Sequence, residues 1–222
     1  MKARLYQFVA SPFCAKVRKL LEYKGVEAEI VEVDYLERKE LLAASRQIMV
    51  PALTLESGET LVDSHRIAMR LEEFYPDPTI FPPGQHGLHL ALASHIDHEI
   101  HPVLSRAGLP DKLAHYRRQG PDREAFFKLI RDSRYGAGFC ERMVAEREAN
   151  WQGAMEALAP FEKQLVASPF LTGRIGLADF ALYGQLYSLT FTGDRAIPAD
   201  MPGLRAFFGR MDRISAAPEP PT

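Results

Sequence analysis

Cysteine is scarce here: two in 222 residues, Cys14 and Cys140, far apart in the chain. A disulfide scaffold or a structural zinc site draws on larger sets of cysteines, so neither is expected, and the chain suits a reducing compartment. No apolar run is long enough to span a bilayer. The start, Met1-Lys2-Ala3-Arg4, runs straight into a strand-like stretch and lacks the apolar core of a signal peptide, so a cytoplasmic protein is expected. Nor does one sign of charge dominate: 27 Lys and Arg face 29 Asp and Glu. Such a balance offers no general attraction to phosphate backbones, and no nucleic-acid partner is expected. What is abundant is apolar residues, at 46%, enough for a substantial core.

The chain reads as two halves. Leu5 to Val9 looks like a strand, stopped by Ser11-Pro12, where Pro suits the first turn of a helix because its missing N–H has no helical partner there. Val17, Leu20 and Leu21 recur at helical spacing until Gly25, and Ala28 to Val33 alternates as a half-buried strand does, making a βαβ unit with parallel strands. A short helix is expected over Arg38 to Ala44. A hairpin follows, with strands at Val50 to Leu55 and Thr60 to Val62, and then a helix capped by Asp63-Ser64. The Pro- and Gly-rich stretch between Tyr75 and Gly84 is the expected domain boundary, giving an α/β domain over 1–78 and an all-helical domain over 84–222. Helices are expected over Leu88 to Leu104, within Ala125 to Ile130 and Arg142 to Leu165, over Ala178 to Leu189, which is apolar enough to be central, and over Leu204 to Ile214. The Pro-rich tail is expected to lack order.

Three short elements carry chemistry. In Ser11-Pro12-Phe13-Cys14 a helix start supplies unpaired N–H groups and partial positive charge, which favour a thiolate, and the Ser11 hydroxyl adds a hydrogen bond that lowers a thiol's pKa. In Val50-Pro51 a cis bond would turn the Val50 backbone groups outward, to pair with an extended peptide. In Asp63-Ser64 a carboxylate beside a helix-start hydroxyl suits an amino-acid zwitterion. Each alone reads more simply as a plain helix cap or an ordinary strand-opening proline.

Together and in this order, they resemble the glutathione-binding half of the glutathione transferase family. The resemblance extends to Leu61-Val62-Asp63-Ser64-His65-Arg66-Ile67-Ala68. In the second half it takes in Phe170 to Asp179, which is similar to the family's capping motif before its central helix, and Met201-Pro202-Gly203-Leu204. It implies a thioredoxin-like α/β domain followed by an all-α domain. It also implies a homodimer, glutathione as co-substrate, and conjugation of its thiolate to a small apolar electrophile. Ser11 is the implied catalytic residue. Phe13, Cys14, Lys39, Val50, Pro51, Asp63 and Ser64 are the implied glutathione contacts, with Lys39 near the glycyl carboxylate. The motif's usual Ser or Thr is Gly176 in this chain, so a capping hydroxyl is missing.

Two other readings stay open. Ser11-Pro12-Phe13-Cys14 is similar to a glutaredoxin-type motif with Ser in place of the first Cys, so a thiol–disulfide reductase using Cys14 is one alternative; the inward-facing position in the first turn argues for a packing role instead. A non-catalytic binding module is the other. Tyr6 lies too early in its strand to serve the thiol. His95, His98 and His101 repeat every three residues, a spacing that drifts around a helix, so no metal site is expected. The segment Gly108 to Gly138, with Tyr116, Phe126, Phe127 and Tyr135, is the implied wall of the electrophile's pocket, and its aromatics read equally as helix-packing residues.

Overall fold

The computed structural model describes residues 2–215; the Pro-rich tail from 216 onward lies outside them. Strand β1 (Ala3–Gln7) leads into helix α1 (Pro12–Lys24), which opens with Ser11 as its cap and Pro12 in its first turn. It closes on Gly25, whose φ of 67° puts its N–H onto the carbonyls of Leu21 and Glu22. Strand β2 (Ala28–Glu32) pairs parallel with β1, as a βαβ unit requires. Helix α2 (Lys39–Ser45) precedes the hairpin of β3 (Ala52–Thr54) and β4 (Thr60–Val62), and helix α3 (Ser64–Phe74) completes the half. The sheet order is β2-β1-β3-β4, with β3 antiparallel to both neighbours. This is the thioredoxin-like arrangement expected.

The second half is helical throughout the described residues. Its helices are α4 (His86–His95), α5 (His101–Ala107), α6 (Leu109–Gln119), α7 (Pro121–Tyr135), α8 (Phe139–Ala145), α9 (Arg147–Ala167), α10 (Leu177–Thr190) and α11 (Pro202–Asp212). The single helix expected over Leu88 to Leu104 is interrupted by a π-helical turn at Ile96–Ile100. Pro102 explains it. Proline has no N–H for the His98 carbonyl and its ring crowds that oxygen, so the ladder widens just before it and the His101 N–H reaches back to Ile96. Helix α6 was not among the expected helices; it opens with Pro110 in its first turn, where proline costs no hydrogen bond. The stretch Arg142 to Leu165 divides between α8 and α9 at Glu146.

The two halves share one core. Leu5, Val17, Leu20 and Leu53 of the first half lie in the same cluster as Phe180, Leu182 and Leu186 of α10. The crossing of α1 on α10 is close enough to demand glycine. A Cβ on Gly184 would stand 2.3 Å from the Pro12 carbonyl oxygen, a backbone atom that cannot move aside alone. The buried Ser188 hydroxyl donates to the Ala10 carbonyl at 2.6 Å, and Lys16 pairs with Asp97 at 2.7 Å. The loop between β1 and α1 is therefore held by the second half.

Gly176 is explained by a neighbour. A Cβ there would lie 2.4 Å from the His89 ring, whose Nδ1 accepts the Ala178 N–H at 3.3 Å. An imidazole from α4 thus does the work of the missing hydroxyl. With Nδ1 accepting, Nε2 carries the proton and donates to Thr172 Oγ1 at 2.9 Å. Burial lowers the pKa of His89 and keeps it neutral for this role. Asp179 completes the turn by accepting the N–H groups of Gly176 and Leu171, both at 2.9 Å, while burial pushes its carboxyl up to about 7.

Candidate active site

The β1–α1 loop, the start of β3 and helices α5 to α8 enclose a cleft of about 380 Å³. Ser11 and Phe13 lie on one wall because α1 begins there. The Ser11 Oγ accepts the Cys14 N–H at 3.4 Å, a long bond that leaves the hydroxyl proton free to donate. Pro12 has no N–H, and the Phe13 N–H has no partner among the hydrogen bonds of the described residues. The α1 start thus presents one hydroxyl and one backbone donor to an anion. Val50, with a cis peptide to Pro51, lines the same cleft.

Asp63 and Ser64 sit just outside that lining, at the same edge of the sheet. The register Ala52↔Val62 sets Asp63 beside Pro51. Asp63 has φ of 75°, and its Oδ1 accepts the N–H groups of His65 and Arg66, both at 3.0 Å. It is exposed, whereas Ser64 is buried. Lys39 is not brought to the cleft: its side chain is 79% exposed and pairs with Glu37 at 2.9 Å.

Cys14 is fully buried, and loss of solvent pushes its thiol up to about 12. Such burial disfavours the thiolate a Cys14-dependent reductase requires. The physical reason is the helical register: position 14 of α1 turns into the core instead of toward the cleft. Tyr6 is likewise buried, with its hydroxyl accepting from Arg4 at 3.2 Å. Of the three spaced histidines only His101 lines the cleft. Its Nδ1 bonds Gln185 Oε1 at 2.9 Å, its ring packs 4.9 Å from that of Phe13, and burial lowers its pKa. No group of three or more His, Cys, Asp or Glu among the described residues is arranged to hold a metal ion. No helix among them is long and apolar enough to cross a membrane.

The helical part of the lining was only partly legible. Phe127, Tyr116 and Tyr135 line it, as the aromatic content of the segment suggested. Arg38, Arg106, Lys112, Arg131 and Arg134 line the cleft as well, and no motif marked them. The Arg131 guanidinium lies 4.0 Å from the Phe127 ring centre and donates to the Tyr35 hydroxyl at 2.7 Å, so it is held in place. Arg38 is fixed by bonds to the carbonyls of Tyr35 at 2.9 Å and Ile48 at 3.0 Å.

Comparison with known proteins adds the following. Residues 5–79 match the family model for the glutathione S-transferase N-terminal domain, and residues 144–210 match that for the C-terminal domain. A maleylacetoacetate isomerase of Pseudomonas aeruginosa is 28% identical over 194 residues, covering 83% of this chain and 80% of that protein. A zeta-class glutathione S-transferase of Euphorbia esula is 31% identical over 114 residues, 49% of this chain and 50% of that one. In fold, the chain superposes on a glutathione S-transferase of Ceriporiopsis subvermispora, solved in complex with glutathione. The TM-score is 0.78, with 21% identity, covering 99% of this chain and all of that one.

Proposed function

This chain belongs to the glutathione S-transferase family, and from that premise we propose that it is a glutathione-dependent enzyme in which Ser11 activates the tripeptide's thiol for attack on a small electrophile. The observation that carries the reading is that, among the described residues, the Ser11 hydroxyl donates no hydrogen bond and the Phe13 N–H has no partner, both residues lining the cleft. Two donors and the positive end of α1 lower the thiol's pKa and raise the reactive fraction at neutral pH. In the transfer step the thiolate forms a bond to the electrophilic carbon, the leaving group departs with its electron pair, and the thiol proton passes to solvent. Proximity supplies the rest of the rate.

In this reading Val50 pairs through its backbone with the cysteinyl unit and cis-Pro51 shapes that edge. Asp63 and Ser64 hold the γ-glutamyl end: Asp63 keeps one carboxylate oxygen on its helix and turns the other to the ammonium. Phe13 contributes its backbone N–H at the thiol while the Cys14 N–H is held by Ser11 Oγ, so Cys14 acts there only through Ser11, and Lys39 reaches the glycyl carboxylate only by leaving Glu37. The same reading makes the protein a cytoplasmic homodimer with a detoxifying role. A reductase working through Cys14 is disfavoured by that thiol's burial.

Calorimetric titration of glutathione into wild type and Asp63→Asn tests the binding half. Asparagine keeps the cap and tolerates the positive φ, so a roughly tenfold loss of affinity reports the charge and not the fold. A conjugation assay on Ser11→Ala tests the chemistry, with an expected rate loss of about a hundredfold, while Cys14→Ala keeps most of the rate. Equal losses in the two variants would move the chemistry to Cys14. No glutathione binding by wild type would leave a binding module.

A further inference from the structure

We propose that the co-substrate is an anion, an organic carboxylate with a flat apolar body, bound by Lys112, Arg131 and Arg134 on the wall facing Ser11. This rests on the placement of the glutathione thiol at Ser11 and replaces the neutral electrophile by a charged one. Three observations carry it.

First, the lining of the cleft contains Arg38, Arg106, Lys112, Arg131 and Arg134 and not one Asp or Glu, in a chain whose net charge is −2. Composition does not produce that segregation. Second, none of these five cations is in an ion pair among the described residues, although ion pairs are common elsewhere on this chain. Third, Lys112 is only 9% exposed and stands close enough to Arg131 for the two to repel. Burial and that repulsion bring its pKa down to about 7. A buried amine facing a like charge destabilises the fold, and such a group at a cleft wall is the pattern of a ligand site. Arg131 is already oriented by Tyr35 and Phe127, so an incoming carboxylate meets a donor fork in place. Phe13, Phe127 and Tyr135 supply flat apolar surface for the body of the same ligand.

Glutathione itself carries carboxylates, so the experiment must separate the two anions. The probe reaction is conjugation of 4-chloro-3,5-dinitrobenzoate, compared with its methyl ester. The glutathione thiolate forms a C–S bond at the chlorinated carbon, chloride leaves with the C–Cl electron pair, and the thiol proton goes to solvent. Each rate is divided by that of the enzyme-free reaction with glutathione. Wild type should favour the acid over the ester by about tenfold or more in normalised kcat/KM. That ratio should fall about tenfold in Lys112→Met and about threefold in Arg134→Gln, an exposed position where folding is not at stake. Glutathione affinity, titrated in parallel, should stay within about twofold, because the cations face the other ligand. A wild-type ratio at or below unity overturns the proposal. So does an equal loss of glutathione affinity in the two variants, which would assign the cations to the tripeptide. Binding of unreactive 3,5-dinitrobenzoate and its methyl ester, measured without glutathione, is independent of the transferase reading. Tighter binding of the acid, lost in Lys112→Met, sustains the anion subsite even where glutathione fails to bind; indifference between acid and ester sinks it.

Discussion

The two halves of this molecule solve the same problem differently. Every helix start leaves N–H groups without helical partners. In the first half the partner is local: Ser11 serves α1 from its own cap position, and Asp63 serves α3. In the second half α8, α10 and α11 take it from another helix. His89 of α4 accepts from α10, Glu162 of α9 takes the Gly203 and Leu204 N–H groups of α11 at 2.8 and 2.7 Å, and Asp132 of α7 takes those of Gly138 and Phe139 at the start of α8. The cleft repeats the contrast. Its thiol wall is built of backbone and short side chains at element ends, its far wall of long cations and aromatics on helix faces. Local devices leave a short motif behind. Remote ones leave single residues that mean nothing until the helices are packed.

Three substitutions would break or sharpen this contrast. The largest effect is expected at the seam between the halves. Gly184→Ala sets a methyl 2.3 Å from the Pro12 carbonyl, so α1 and α10 must separate at the very loop that holds Ser11. A loss of about 3 kcal/mol in denaturant unfolding is expected, with transferase rate falling in parallel. Unchanged stability would mean that the halves do not depend on that crossing.

Next comes the remote cap. Gly176→Ser restores a capping hydroxyl yet drives its Cβ into the His89 ring, so it should cost about 2 kcal/mol. In a His89→Ala background the same change should stabilise, because ring and hydroxyl compete for one place. A double-mutant cycle showing additivity would deny that His89 is the surrogate cap.

The smallest effect concerns the far wall. Lys112 has a folded pKa near 7 against an ordinary value of 10.5, so between those values the unfolded chain binds the extra proton. Stability should therefore rise with pH from 7 to 10.5, and below 7 the full cost of the buried charge remains. Lys112→Met should raise stability at pH 7 by on the order of 1–2 kcal/mol and flatten that pH dependence. A Met variant less stable than wild type at pH 7 would show that the ammonium is compensated in the fold.

The legible parts of the chain were those whose causes lie within a few residues. The parallel β1 and β2, the hairpin, and the starts of α1 and α3 follow from alternation, Gly25, Pro12 and Asp63, each acting on its own neighbourhood. The interruption before Pro102 and the helix opening at Leu109 are not in the periodic pattern: apolar spacing runs through Pro102 unbroken, while the proline widens the ladder before it, and Pro110 sits in a first turn that spacing alone does not mark. Cys14 was known to be near the thiol position, but only its register on α1 settled that it faces the core.

What the sequence determined alone was the order of elements, the helix start at Ser11 and the acidic cap at Asp63, because hydrophobic period and capping chemistry act over one or two turns. What only the tertiary structure decided was the company each residue keeps: Gly184 against Pro12, His89 in the place of a hydroxyl, and five cations gathered around one cleft. The burial and Coulomb energies that act there depend on distances through space, which residues far apart in the chain acquire only when the helices meet.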